Sequence, residues 1–146
     1  MKKIYLLPIL LVFLVNCSSD TTVVFHETHE PKNMNAPFSD AVQVGNLFFL
    51  SGQVGMDHTT RTLVKGGIEA ETKQTLENIK AVLKHHGMDM SDVVKCTVIL
   101  SDINDFKAFN EIYTTYFPQK PARTTFASKG LAVGAKIEIE CIATSK

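Results

Sequence analysis

The 146-residue chain has no tryptophan, three cysteines and no surplus of charge, since fifteen basic residues balance fifteen acidic ones. Nucleic-acid binding relies on a Lys/Arg patch or stripe, and the sequence shows none. Without Lys2 and Lys3 the balance tips slightly acidic. There is no CxxC pair and no His/Cys spacing of the metal-site type, so no metal centre is indicated. No apolar run reaches the roughly twenty residues that a membrane-crossing helix needs. Internal repeats and low-complexity stretches are also absent. A hydrophobic content of 45% and a charged content of 21% are those of one ordinary globular domain.

Residues 1–17 read as a leader. Lys2-Lys3 is a short positive segment, and Ile4 to Val15 is an apolar run interrupted by Pro8, the pattern of a secretion signal. It ends in Leu14-Val15-Asn16-Cys17, followed by Ser18-Ser19-Asp20. This resembles a bacterial lipobox, with Cys17 as the lipidated first residue of the mature chain. Asn16 stands where Gly, Ala or Ser is usual. A plain signal peptide or an uncleaved N-terminal strand are the alternatives. Residues 18–22 then form a polar tether and 23–146 the domain. The expected location is the periplasmic side of a bacterial membrane, held through the lipid anchor alone. An unprocessed leader would leave the protein cytoplasmic.

Val23-Val24-Phe25 opens a first short strand, and Glu30 to Pro37 is a loop. Ala41 to Val44 and Leu47 to Gln53, joined by Gly45-Asn46, predict a hairpin. Leu47-Phe48-Phe49-Leu50 is apolar on both faces, which predicts a central, covered strand broken by Gly52 and Gly55. Leu76, Ile79, Val82, Leu83 and His86 recur at helical spacing, with Glu69 and Glu71 in the first turn and Gly87 as the stop. Val93 to Leu100 is strand-like, with Val94, Cys96, Val98 and Leu100 on one face. A second helix opens around Asp102 to Asp105. Its stripe of Phe106, Phe109, Ile112, Tyr113, Tyr116 and Phe117 reads as core, and Pro118 ends it. Ala122 to Ser128 and Ala135 to Thr144 complete an α/β (α+β) order: a mixed sheet with two helices on one face.

The last two strands carry charge where a sheet core rejects it, and a buried charge must be paired or used. Ile137, Ile139, Cys141 and Ala143 share one face, while Glu138 and Glu140 share the other. If Phe126 faces the helices, then Arg123 and Thr125 join the two glutamates on the helix-free face. That face is either a wetted sheet surface or a site. Cys96 and Cys141 look like small buried hydrophobes; whether they pair is left open.

The blocks Pro37-Phe38-Ser39, Gly45-Asn46-Leu47, Leu50-Ser51-Gly52-Gln53, Pro121-Ala122-Arg123-Thr124 and Ile137-Glu138-Ile139-Glu140-Cys141-Ile142-Ala143 occur in that order. With Gln74 to Lys80 and Asp102 to Phe106, they resemble the RidA/YjgF family from about Val23 to the C-terminus. The resemblance implies a chorismate-mutase-like fold and a homotrimer with clefts between subunits. It also implies hydrolysis of reactive 2-imino acids to 2-keto acids and ammonia, with no cofactor and no metal. Arg123 then grips the substrate carboxylate as a planar fork, and Glu138 orients and activates water. Glu140 is the second candidate. Phe38, Ser51, Gly52 and the Thr125 backbone N–H line the cleft. Phe38 stands where many members have tyrosine and Thr125 where many have cysteine, so a hydroxyl and a thiol are missing.

Two other readings remain. One is a non-catalytic trimer that binds small carboxylates, which export favours because the usual source of 2-aminoacrylate is cytosolic. The other is the ribonuclease or translation-inhibitor activity attributed to some relatives. His26-Glu27-Thr28-His29-Glu30 lacks the HExxH order and reads as a solvated segment. His85-His86 suits a helix C-terminus, and His58 shows no partner.

Overall fold

Gly45-Asn46 closes the expected hairpin, with Gly45 at φ 61°. The computed structural model describes residues 22–30 and 36–146, so the leader, Cys17 and most of the tether lie outside the described residues. The elements are β1 (Val23–His26), β2 (Ala41–Val44), β3 (Leu47–Val54), a ribbon of β4 (Met56–Asp57) and β5 (Thr62–Leu63), α1 (Gly67–His85), β6 (Val93–Leu100), α2 (Phe106–Tyr116), β7 (Ala122–Ala127) and β8 (Ile137–Thr144). Among the described residues six strands form one sheet in the order β1-β2-β3-β8-β6-β7. Among the described strands only the β6/β7 pair is parallel, and α2 is its crossover.

Both helices cover the same face. Leu76, Ile79, Val82 and Leu83 of α1 and Phe109, Tyr113 and Phe117 around α2 are buried against Cys96, Val98, Leu100, Ile137, Ile139 and Cys141. Gly87 takes φ 73°, the left-handed turn that stops α1. A 3-10 turn, Ile103–Asp105, precedes α2, and the Asp102 carboxylate accepts the Asn104 N–H at 2.9 Å. The result is the two-layer mixed α+β architecture that the order of elements predicts.

Four local expectations change. β3 is central but covered on one face only, because Leu47 and Phe49 are about two-fifths exposed on the helix-free side. Its strand also runs on through Gly52 to Val54. A register shift in β6 puts Val93 inside and leaves Val94 exposed. The segment after β1 is not simply solvated. It folds onto the end of α1, where His26 lies 4.5 Å from His86 and His29 5.0 Å from His85, ring centre to ring centre. His29 Nδ1 is 2.8 Å from Asp40 Oδ2. Burial first, and then the neighbouring imidazoles, hold the His86 pKa below its ordinary value. Cys96 and Cys141 face each other across β6 and β8 as free thiols, Sγ to Sγ 3.3 Å.

Candidate functional site

The end of β3 is where the regular ladder fails. Between the pairs Leu50/Cys141 and Gln53/Ile139, β3 carries one residue more than β8. Such a bulge re-aims the chain, and here it brings Gly52 directly against the Glu138 side chain. A Cβ on Gly52 would overlap Glu138 Oε1, so a side chain there would push the carboxylate aside. Asn78, buried on α1, holds the rim from behind. Its Nδ2 donates to the carbonyls of Val54 at 3.0 Å and Met56 at 2.9 Å, and Gln74 Nε2 donates to its Oδ1 at 2.8 Å. Ser51 Oγ donates to the Ser39 carbonyl at 2.6 Å, which ties the bulge to the segment carrying Phe38.

A cavity of about 500 Å³ opens at this rim, and Phe38, Ser51, Gly52 and Glu138 all line it. Four of the predicted site residues therefore converge. Glu138 is half-buried, and its pKa is raised by burial first and then by the like charge of Glu140. A carboxyl whose proton is held more tightly than usual suits proton transfer near neutral pH. Glu140 lies on the same sheet face but does not line the cavity.

Arg123 and Thr125 do not join them. Cross-strand partners share a sheet face, and β7 pairs with β6 in the register Arg123/Cys96 and Thr125/Val98. Cys96 and Val98 are buried under the helices, so Arg123 and Thr125 point to the helix side. Phe126, paired with Ile99, takes the helix-free face and is 45% exposed. The reason lies in α2, whose rings already fill that space. The Arg123 guanidinium sits 4.6 Å from the Tyr113 ring centre and 5.2 Å from that of Phe109. Its Nη1 donates to Asn110 Oδ1 at 2.8 Å. Cation–π contact satisfies a cation there as well as another ring would. Thr125 Oγ1 is buried with no hydrogen-bond partner among the described residues.

The cavity also contains groups that sequence reasoning did not assign. Glu30, from the segment after β1, reaches His58 and Arg61 in the β4–β5 turn, and all three line the cavity beside Glu138. His58 therefore has a partner after all. Glu30 and His58 are far apart in sequence, and no motif announces their meeting.

Comparison with known proteins bears on what this rim does. The sequence profile described as Endoribonuclease L-PSP matches residues 28–145. The chain belongs to this family, the RidA/YjgF proteins. Two relatives show how near. The Arabidopsis thaliana protein named Reactive Intermediate Deaminase A, chloroplastic, is 49% identical over 109 residues, which cover 74% of this chain and 58% of that protein. The Mus musculus 2-iminobutanoate/2-iminopropanoate deaminase is 48% identical over 108 residues, 73% of this chain and 80% of that one. Among solved structures, a Thermotoga maritima protein superposes with a TM-score of 0.78 at 42% identity, covering 84% of this chain and 98% of its own. E. coli TdcF with bound serine gives 0.76 at 29% identity, covering 84% and 99%. The RidA/YjgF fold is thus the fold observed, and the match spans the bulge, the cavity and β7.

Proposed function

We propose that the protein hydrolyses reactive 2-imino and enamine acids, such as 2-iminobutanoate and 2-iminopropanoate, to 2-keto acids and ammonia. One observation carries the reading. Glu138, with its raised pKa, stands in a cavity of a chain whose relatives at 47–49% identity are named for this deamination. In this reading Glu138 takes the proton from a water that attacks the C=N carbon. Arg123 holds the substrate carboxylate through two parallel N–H donors. An electrophilic imine carbon requires no metal or organic cofactor for that attack.

Because Arg123 and Glu138 sit on opposite faces of one sheet, the reading assigns them to different copies of the chain. The functional unit is then a homotrimer with a site at each interface. The helix-free face supports such an assembly, since Phe25, Leu47, Phe49 and Phe126 expose apolar surface there. Export with a lipid on Cys17 would give each trimer three anchors, and release from the membrane would be slow.

The family's descriptive name favours a second reading, RNA cleavage. The cavity argues against it, since Glu30, Asp40 and Glu138 line it and carboxylates repel a phosphate backbone. The test is 2-iminobutanoate hydrolysis by the chain without residues 1–17, the imine being generated in situ by a threonine dehydratase. The expected result is acceleration over the spontaneous rate. Binding of 2-ketobutanoate without turnover would replace the enzyme with a small-carboxylate-binding protein, and RNA cleavage by rigorously purified chain would replace both.

A further inference from the structure

Imine hydrolysis moves protons at two atoms, the attacking oxygen and the departing nitrogen, and the cavity contains a second group equipped for this. His58 Nδ1 is paired with Glu30 Oε1, and both residues line the cavity that holds Glu138. The side chains are only a quarter and a seventh exposed, respectively. A carboxylate on one ring nitrogen fixes the orientation of the imidazole and leaves the other nitrogen for work. Glu30 is itself held from the opposite side, by Arg61 Nη1 at 3.4 Å. Arg61 sits at φ 59°, a left-handed conformation that a non-glycine residue adopts only at a cost. The turn keeps a strained arginine, and that arginine's side chain reaches Glu30. Asp57, next in the turn, accepts the Thr59 N–H on Oδ1 at 2.7 Å, and Asp40 and Glu138 line the same cavity.

We propose that His58, positioned by Glu30, is the second proton-transfer residue of the Glu138 cavity, giving its proton to the imine nitrogen. The step rests on the deaminase reading. Water oxygen bonds to the C=N carbon as the π pair moves to nitrogen. Glu138 accepts one water proton, and the His58 imidazolium supplies the proton that makes the carbinolamine NH2. On collapse the C–N bond pair leaves with nitrogen, which takes the proton from Glu138. The carbinolamine hydroxyl returns its proton to His58 as C=O forms. Ammonia and the 2-keto acid depart, and both side chains are back in their starting states. Glu30 touches no substrate and acts as a positioning residue.

The test is the pH profile of kcat/KM for His58→Gln and Glu30→Gln, with melting temperature and oligomeric state as folding controls. In His58→Gln, kcat is expected to fall about 10²-fold with KM little changed, and the alkaline limb to disappear. In Glu30→Gln a smaller fall in kcat, again with KM little changed, is expected, because the imidazole is no longer held in place. An unchanged profile in a folded, active His58→Gln protein overturns the proposal. A second readout does not need turnover: the His58 ring signals in NMR on adding 2-ketobutanoate. They are expected to shift on saturation. Still His58 signals beside moving Ser51 and Gly52 amides overturn the contact with ligand. Absence of turnover in the unsubstituted protein overturns the deaminase reading, and the proton step with it, whatever the His58 signals do.

Discussion

Two carboxylates in this chain are held away from water and have opposite fates. Glu71, at the start of α1, is 5% exposed, and its Oε2 accepts the Lys136 N–H at 2.7 Å. Its backbone also approaches Gly55 so closely that a Cβ there would lie 2.6 Å from Glu71 Cα. Glu138, on the neighbouring strand, is packed against a glycine, faces a cavity and has a like charge nearby. The first carboxylate ends a strand's orphan N–H and so stabilises the fold. The second has its negative form opposed by burial and by Glu140, so it destabilises the fold once ionised. A satisfied buried charge reports on architecture, and an opposed one beside a cavity reports on chemistry.

The sharpest way to break that contrast is Glu138→Gln. Turnover is expected to fall by about 10²–10⁴-fold, the range for loss of a general base, while the protein folds at least as well at neutral pH. The sign follows from linkage. A carboxyl whose folded pKa lies above the unfolded value of 4.5 contributes stability below that value and loses it as pH rises through the folded pKa. The amide removes this component, so thermal melts from pH 4 to 8 should show a flatter dependence in the variant. A steeper one would mean that Glu138 is stabilised as an anion.

Arg123→Ala comes next, with an expected loss of about 10²-fold in kcat/KM from two charge-assisted hydrogen bonds. Its informative form is a mixture. Arg123→Ala and Glu138→Gln chains, exchanged into common oligomers, are expected to regain activity at about a quarter of sites by random assortment in a heterologous ring. No recovery would mean that one of the two groups does not belong to the site. The smallest effect belongs to Glu71→Ala. It leaves the Lys136 N–H unpartnered and is expected to lower stability by about 1–3 kcal/mol in urea melts, with kcat per folded molecule unchanged.

Much of this was legible in the residues, and the failures share a cause. Gly45-Asn46 between apolar runs and the helical spacing of Leu76, Ile79 and Leu83 located their elements, because local geometry alone dictates them. Phe38, Ser51, Gly52 and Glu138 line one cavity. Arg123 was put on the wrong face. A period of two separates Arg123 from Phe126 but does not say which of them turns inward, and assigning the phenylalanine to the core reversed the choice. The parallel register with Cys96 decides it, and register is a long-range property. His58 and Glu30 escaped for the same reason, as did the packing of His26 and His29 on α1.

The opposite placement of Arg123 and Glu138 has a consequence for anyone handling the protein. A solitary chain can offer a small acid the guanidinium or the carboxylate, with the thickness of a sheet between them. Specific activity is therefore expected to depend on how much protein is in the tube, holding constant at high concentration and collapsing on dilution below the assembly threshold. A catalyst tethered to a surface escapes that dilution, because its copies stay crowded in two dimensions.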